Sequence, residues 1–194
     1  MKKIFILVFN TLIISGLTFA QRPNDLRCEH LTHPLGIDTS SPRLTWLLDD
    51  TRYGAIQHAY RINVGTDSAN IALGQGNNWD TGKVSSDKML AVYQGQPLQP
   101  FTKYWWQVRV WDKDDVELSS EVASFETGMM HISNWHGAWI SDRNDIQYRP
   151  APYFRKKFTI DRPVKSARAY IAVAGLYELY VNGDKTGNHR LDPM

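Results

Sequence analysis

The stretch Leu-Gln-Pro-Phe-Thr-Lys-Tyr-Trp-Trp-Gln-Val-Arg-Val-Trp-Asp at residues 98–112 decides the fold of this chain. Within it, Tyr104, Trp106 and Val108 recur at every second position, and the same alternation continues on both sides. A period of two is that of a β-strand that buries one face. The sequence therefore predicts a strand over 104–111 with these side chains in a core.

The entry to this strand has the pattern Leu-x-Pro-x-Thr-x-Tyr. It resembles the start of the penultimate strand of a fibronectin type III or immunoglobulin-like sandwich. In such sandwiches a tyrosine at this corner hydrogen-bonds to upstream backbone through its hydroxyl. Tyr104 is therefore predicted to be a structural residue that fixes a crossover between strands.

Short strands separated by turn signals are predicted around this one. They lie at 27–31, 44–48, 60–64, 79–84, 89–93 and 123–127, with at most a turn of helix over 68–73. In the second of them Trp46 is expected to point into the core. About seven short strands in roughly 100 residues are typical of one sandwich. The predicted fold class is all-β, with a fibronectin III-like sandwich over residues 21–128.

A second β module is predicted over residues 135–194, after a linker at 129–134. The pair Asn182-Gly183 is a strong signal for a two-residue hairpin turn of type I′. So short a module would bury too little apolar surface to offset its chain entropy, so it is predicted to be a partial sandwich. Its further strands are predicted at 153–160, 167–173 and 176–181.

Residues 1–20 are predicted to be a secretory signal peptide. Lys2 and Lys3 precede a mostly apolar stretch, and Thr18 and Ala20 are small residues at the two positions that a signal peptidase inspects. A membrane anchor is the less favoured alternative, because the apolar run is short and interrupted by polar residues. Cleavage before Gln21 would give an exported protein, periplasmic or extracellular, with no membrane attachment.

Composition excludes some partners. The chain has 22 Lys and Arg against 20 Asp and Glu, and loss of residues 1–20 removes two lysines and no acids. The mature chain would be balanced, without the basic excess that a nucleic-acid partner requires. Cys28 is the only cysteine, so no internal disulfide can form, and it is predicted to be a buried thiol.

Eight short motifs follow one another along the chain. They are Asn-Asp-Leu-Arg-Cys-Glu at 24–29, Pro-Leu-Gly-Ile-Asp at 34–38, Ser-Pro-Arg-Leu-Thr-Trp at 41–46, Gln-His-Ala-Tyr-Arg-Ile at 57–62, Trp-Asp-Thr-Gly-Lys-Val at 79–84, the run at 104–112, Ala-Pro-Tyr-Phe-Arg-Lys at 151–156 and Gly-Leu-Tyr-Glu-Leu-Tyr-Val-Asn-Gly at 175–183. In this order they resemble the N-terminal part of bacterial α-L-rhamnosidases of glycoside hydrolase family 78.

The resemblance implies a parent enzyme with a fibronectin-like domain, a jelly-roll sandwich and an (α/α)6 barrel. The barrel of that family carries the carboxylates that hydrolyse terminal α-L-rhamnosyl bonds with inversion. This chain would stop inside the jelly roll, so residues 135–194 are expected to form an incomplete, galactose-binding-like jelly roll. The implied partners are the missing catalytic barrel and a rhamnose-containing carbohydrate. No catalytic residue, cofactor or metal is assigned.

Two other functions stay open at this point. One is a stand-alone carbohydrate-binding or adhesion module. The other, less favoured, is a small active enzyme that uses Asp49, Asp112 or Asp114. Because Asp112, Asp114 and Asp115 follow a strand, they are predicted to form a solvated hairpin turn. His30 and His33 lack a third ligand at a recognisable spacing, so no metal site is predicted.

Trp105 and Trp111 are the candidate site residues. Alternation places them on the face of the strand opposite to Tyr104, with Gln107 and Arg109 between them. Exposed rings there could stack on a sugar, or they could contact a neighbouring domain. The domain contact is favoured, because large exposed apolar groups most often mark interfaces.

Overall fold

The computed structural model describes residues 22–143 and 151–187 and confirms an all-β chain. The predicted signal peptide lies outside the described residues. The elements are β1 (Pro23–Cys28), β2 (Arg43–Leu48), β3 (Ala59–Gly65), α1 (Ser68–Ala72), β4 (Trp79–Asp80), β5 (Val84–Ser85), β6 (Leu90–Val92), β7 (Lys103–Trp111), β8 (Glu117–Ser119), β9 (Ala123–Glu126), a 3-10 turn (Ile132–Asn134), β10 (Tyr180–Val181) and β11 (Asp184–Lys185). No helix in this part of the chain is long and apolar enough to cross a bilayer.

The chain divides into two compact units, Met1–Trp139 and Ile140–Met194. In the first unit, three strands form a sheet in the order β1-β2-β6, and six form a second sheet. The second sheet follows the path β4-β3-β7-β8, with β5 also paired to β3 and β9 also paired to β7. All pairings in both sheets are antiparallel. This is the immunoglobulin-like sandwich that the sequence predicted.

The core of the first unit is built from the alternating residues of the central strands. The register between β3 and β7 sets Ile62 beside Val108 and Val64 beside Trp106, and all four are fully buried. These side chains belong to one apolar cluster that includes residues of both sheets. The alternation read in residues 98–112 therefore identified the strand that carries much of this core.

The predicted tyrosine corner is confirmed. Tyr104 is fully buried on β7, and its hydroxyl accepts a hydrogen bond of 2.9 Å from the backbone N–H of Gln99. Its ring also stacks on Phe125 of β9, with the ring centroids 5.4 Å apart. The side chain thus holds the segment that precedes β7 against the strand itself.

We expect Tyr104→Phe to lower the free energy of unfolding by about 0.5–1.5 kcal/mol, because a partly buried hydrogen bond to the N–H of Gln99 is lost. Urea denaturation followed by tryptophan fluorescence measures this change. Tyr53→Phe is the control, since Tyr53 is fully exposed, and it should shift stability by less than about 0.5 kcal/mol. Equal stability of the two variants would contradict a structural role for the hydroxyl.

Trp46 is the core tryptophan expected on β2. It is 1% exposed, and its indole Nε1–H donates to Oε1 of Gln57 over 2.8 Å. The amide of Gln57 in turn donates to the backbone oxygens of Ser86 and Lys88, each at 3.1 Å. The ring also meets Tyr60 edge-on, with centroids 5.2 Å apart. One indole therefore joins both sheets and the segment that leads to β6.

Two strand predictions in this unit need correction, and one strand was not predicted. The first strand is Pro23–Cys28 and not 27–31, because Glu29 and His30 have positive φ angles of 49° and 65° that turn the chain. The prediction at 79–84 is interrupted by a turn at Gly82, which has a φ of 63°. The short strand β8 was not predicted, since its three residues hold a single apolar side chain.

The second unit contains the predicted hairpin. Val181 pairs with Asp184, and the intervening Asn182 and Gly183 have φ angles of 54° and 97°. Two positive φ angles are what a type I′ turn requires, so this turn is confirmed. Lys185 Nζ lies 2.6 Å from Glu178 Oε1 beside it.

Of the other strands predicted for this unit, the one at 176–181 is formed only over Tyr180–Val181, and those at 153–160 and 167–173 are not formed in the described residues. No strand is assigned over 151–179, and nearly all of these side chains are exposed. A strand needs a neighbour for its backbone hydrogen bonds and a face to bury. The local alternation at 153–160 and 167–173 therefore does not suffice to form strands. The predicted domain boundaries at residues 128 and 135 stay predictions.

Candidate functional site

The outer face of the six-stranded sheet holds the two predicted site residues. Trp105 and Trp111 stand near opposite ends of β7, and both are half-buried. Lys103 Nζ lies 4.2 Å from the centroid of the Trp105 ring, and Lys83 Nζ lies 4.3 Å from that of Trp111. Each contact is a cation–π interaction worth about 0.5–1 kcal/mol at an exposed position. A sugar or a domain that stacks on the ring face that a lysine covers must displace that lysine.

Between the two tryptophans the face is polar and largely covered. Gln107 is 7% exposed, and its Nε2 donates to the backbone oxygen of Ser120 over 2.8 Å. Arg109 Nη1 lies 3.5 Å from Glu117 Oε1 on β8. Gly74 lies against the Arg109 guanidinium, and its φ of 77° is one that favours glycine. The alternation located these residues on the outer face, but it gave no sign that they are covered.

The cover is the single-turn helix α1. Its N-terminus is capped by Asp67, whose carboxylate accepts from the N–H groups of Ala69 and Asn70 at 2.8 and 3.1 Å. Ile71 is fully buried and lies on the outer face of the sheet, since α1 packs on β3 and β7. A helix this short is stabilised by such packing and not by its own hydrogen bonds. Its position therefore depends on contacts that no local sequence signal reveals.

The turn after β7 is built differently from the solvated turn that was predicted. Asp112 is 3% exposed, and its Oδ1 accepts from the N–H groups of Asp114 and Val116, both at 2.9 Å. Its Oδ2 lies 2.6 Å from Nη2 of Arg52. Arg52 also binds Asp50 and the exposed Asp114. The prediction holds for Asp114 and Asp115, which are exposed, and is wrong for Asp112.

The electrostatics of this cluster keep Asp112 ionised. Burial opposes ionisation, but hydrogen bonds from Arg52 and from the N–H groups of Val116 and Asp114 outweigh it and lower the pKa of Asp112. Asp50, followed by Asp112, raises the pKa of the Arg52 guanidinium. A glycosidase needs one carboxyl group that keeps its proton until it reaches the leaving group. Asp112 is instead bound to a cation and to its own turn, which is a structural arrangement.

The Cys28 thiol is placed for packing, and His33 is placed for hydrogen bonding. Burial, followed by the charge of Glu29, raises the pKa of Cys28 to about 12, so the thiol keeps its proton and is a poor nucleophile. Nδ1 of His33 accepts a hydrogen bond of 3.2 Å from the backbone N–H of Ser124. Among residues 22–143 and 151–187, no three His, Cys, Asp or Glu side chains are grouped so that they could hold a metal ion.

The two antiparallel sheets and their shared core make the first unit an immunoglobulin-like β-sandwich domain. Residues 23–131 match the family described as Rha78A-like, N-terminal immunoglobulin domain, and the chain belongs to this family. Residues 162–194 match the family described as alpha-L-rhamnosidase N-terminal domain. The two matches follow in chain order and together extend over both units.

Relatives and solved structures agree with this assignment. An alpha-L-rhamnosidase of Formosa agariphila is 34% identical over 186 residues, covering 84% of this chain and 20% of the relative. One of Streptomyces avermitilis is 42% identical over 115 residues, covering 58% of this chain and 11% of the relative. The structure of the Dictyoglumus thermophilum alpha-L-rhamnosidase superposes with a TM-score of 0.61 at 40% identity, covering 63% of this chain and 14% of that chain. This chain thus spans no more than 20% of the length of these relatives.

Proposed function

We propose that this chain is the non-catalytic N-terminal portion of an exported α-L-rhamnosidase-like glycoside hydrolase. The observation that carries the proposal is the pair of family matches, at residues 23–131 and 162–194, in a chain that spans no more than 20% of relatives named alpha-L-rhamnosidase. The signal-peptide pattern of residues 1–20 supports export to the periplasm or beyond.

The carboxylates of the first unit support a non-catalytic role. Asp112 is bound by Arg52, and Asp80 forms a two-pronged pair with Arg61, with N–O distances of 2.9 and 2.6 Å. Hydrogen bonding to Arg61 lowers the pKa of Asp80, so this group is also held ionised. In the parent enzyme the acid and the base that cleave terminal α-L-rhamnosyl bonds with inversion would lie beyond this chain.

The role that fits such a portion is to brace the catalytic barrel. The outer face of the six-stranded sheet offers Trp105 and Trp111 as large half-buried rings with lysines over them. Aromatic residues with charged neighbours are frequent at contacts between proteins and between domains. We assign the two rings to a contact with the remainder of the parent enzyme.

A chimaera tests this function. In the Streptomyces avermitilis relative, the matching N-terminal segment is replaced by residues 23–131 of this chain, and hydrolysis of a chromogenic α-L-rhamnoside and Tm are measured. We expect the chimaera to keep activity, deletion of the segment to lower Tm, and this chain alone to hydrolyse nothing. Hydrolysis by this chain alone would refute a non-catalytic role, and a deletion without effect on Tm would refute bracing.

The two tryptophans are tested in the same chimaera. We expect Trp105→Ala with Trp111→Ala to lower Tm, since a contact with the barrel is lost. Tyr53→Ala is the control, because Tyr53 is a fully exposed aromatic residue elsewhere in the first unit. An unchanged Tm with weaker binding of a rhamnosyl oligosaccharide would instead support the sugar-stacking interpretation.

A further inference from the structure

The two units of this chain differ in charge. Residues 21–139 contain ten Lys and Arg against 14 Asp and Glu, whereas residues 140–194 contain ten against six. The excess of the second unit is concentrated in residues 153–168, the basic segment, which contain six Lys and Arg and a single acid, Asp161. The mature chain is therefore balanced only as a whole, and the basic segment produces a local positive field.

The cations of the basic segment differ from those of the first unit in their partners. Each of the six arginines in residues 22–139 has a nitrogen within 3.5 Å of a carboxylate oxygen. Within the described ranges 22–143 and 151–187, five cations of the basic segment form no ion pair, and these are Arg155, Lys156, Lys157, Arg162 and Lys165. Their charges are therefore available to an external anion.

These cations are also exposed and closely spaced. Every residue of the basic segment is exposed. Consecutive Cα atoms are about 3.8 Å apart, so the Cα atoms of Arg155, Lys156 and Lys157 lie within about 7.6 Å of one another. The Debye length at physiological ionic strength is about 8 Å, so the fields of these three charges add. A polyanion can contact several such charges at once, which a small single anion cannot do.

Exposed aromatic rings accompany the cations. Tyr153 is 98% exposed, Phe154 is 53% exposed and Phe158 is 75% exposed, and they flank residues 155–157 in the sequence. Aromatic rings offer apolar faces on which the C–H faces of sugars can stack. Guanidinium and ammonium groups form charge-assisted hydrogen bonds with carboxylates and similar oxyanions. An acidic polysaccharide presents both sugar C–H faces and anionic groups along one chain.

We propose that the basic segment binds an acidic polysaccharide through the carboxylate or sulfate groups of that polymer. The proposal rests on the proposed function in one respect, because an exported member of a rhamnosidase family meets glycans, and this favours a glycan over a nucleic acid as the polyanion. It goes beyond that function, since bracing a barrel through Trp105 and Trp111 requires no anion. The basic segment then holds the parent enzyme on a charged polymer.

The test is calorimetric titration of the full chain with three polymers at about 0.15 M salt, where the Debye length is about 8 Å. The polymers are polygalacturonate, which carries carboxylates, dextran sulfate, which carries sulfates, and neutral dextran. We expect saturable binding of at least one acidic polymer and none of dextran. Binding should be lost at about 1 M salt, where the Debye length is about 3 Å. Preference for one acidic polymer assigns the carboxylate or the sulfate as the group recognised.

Paired variants locate the binding. Lys156→Gln with Lys157→Gln should weaken binding about three- to tenfold, the range for two exposed ion pairs, and should reduce its salt dependence. Lys88→Gln with Lys113→Gln is the matched control, because it removes the same charge from the first unit, and it should change binding by less than about twofold.

A ring variant separates stacking from charge. Tyr153→Ala with Phe158→Ala should weaken binding about two- to tenfold and leave its salt dependence unchanged, because no charge is removed.

Three results would overturn the proposal. They are absence of binding to both acidic polymers, equal weakening by the two lysine pairs, and tighter binding of single-stranded DNA or anionic vesicles than of either polysaccharide at equal anion concentration. The chimaera contains only residues 23–131 of this chain and therefore lacks the basic segment. Failure of the polysaccharide site and failure of the proposed function can thus be told apart.

Discussion

Trp46→Ala is expected to lower the free energy of unfolding of the first unit by about 3–5 kcal/mol, the range for loss of a buried large aromatic side chain. Trp46 is 1% exposed, so its removal leaves a cavity in a close-packed core. The substitution also leaves Oε1 of Gln57 without the indole N–H that it accepts at 2.8 Å. Urea denaturation followed by far-UV circular dichroism measures the effect without relying on tryptophan emission.

Two further variants separate the causes. Trp46→Phe keeps much of the ring but removes the indole N–H, and it should cost about 1–3 kcal/mol for the unsatisfied amide oxygen of Gln57. Trp139→Ala is the control, since Trp139 is 76% exposed and its loss should change stability by less than about 0.5 kcal/mol. Equal destabilisation by the substitutions at 46 and 139 would contradict the placement of Trp46 at the centre of the core.

Asp112→Asn is expected to lower the free energy of unfolding by about 1–3 kcal/mol at neutral pH, and by less in acid. The amide can still accept from the turn N–H groups, but it loses the charge that faces Arg52. The folded-state pKa of Asp112 is lowered, so its contribution is fully present above the unfolded pKa of about 3.9. That contribution disappears as pH falls through the folded-state pKa, whereas asparagine does not titrate.

The measurement is a set of urea denaturation curves from pH 7 down to the acid limit of the fold. The difference between wild type and Asp112→Asn should shrink as the pH falls. Asp114→Asn is the matched control, because Asp114 binds the same arginine at 2.6 Å but its side chain is 56% exposed. Its effect should stay below about 0.5 kcal/mol, as for most exposed ion pairs. A difference for Asp112→Asn that does not vary with pH would show that the carboxylate charge is not the cause.

The part of the fold that the sequence predicted depends on short-range rules. Alternation in β7 placed Tyr104 in the core, and the corner pattern before it indicated the hydroxyl bond to the backbone. The hairpin at Asn182 and Gly183 followed from the need for two positive φ angles. Each of these signals concerns residues close together in the chain, where sterics and hydrogen bonding leave few alternatives.

What the sequence could not predict depends on distant partners. The turn pattern predicted that Asp112 would be solvated, because no neighbouring residue in the sequence indicated the ion pair with Arg52. The same limit applies to the candidate site. Alternation placed Trp105 and Trp111 on the outer face. It did not predict that Lys83, which lies between β4 and β5, would cover the Trp111 ring. Gln107 lies on the same face and is buried, and α1 packs across β7 through contacts that only the tertiary structure specifies.

The pairing of β3 with β7 has a consequence for how the chain acquires its structure. It joins Ala59 to Trp111 and Gly65 to Trp105, so the two central strands are far apart in sequence. Closing such a loop costs entropy before any contact compensates for it, and folds dominated by non-local pairing form slowly, in milliseconds to seconds. While the chain is still being synthesised, β4 and β5 can pair with one edge of β3, but the edge that will pair with β7 stays bare. Residues 98–112, which decide the fold, must therefore be synthesised before the central pairing of the second sheet can form.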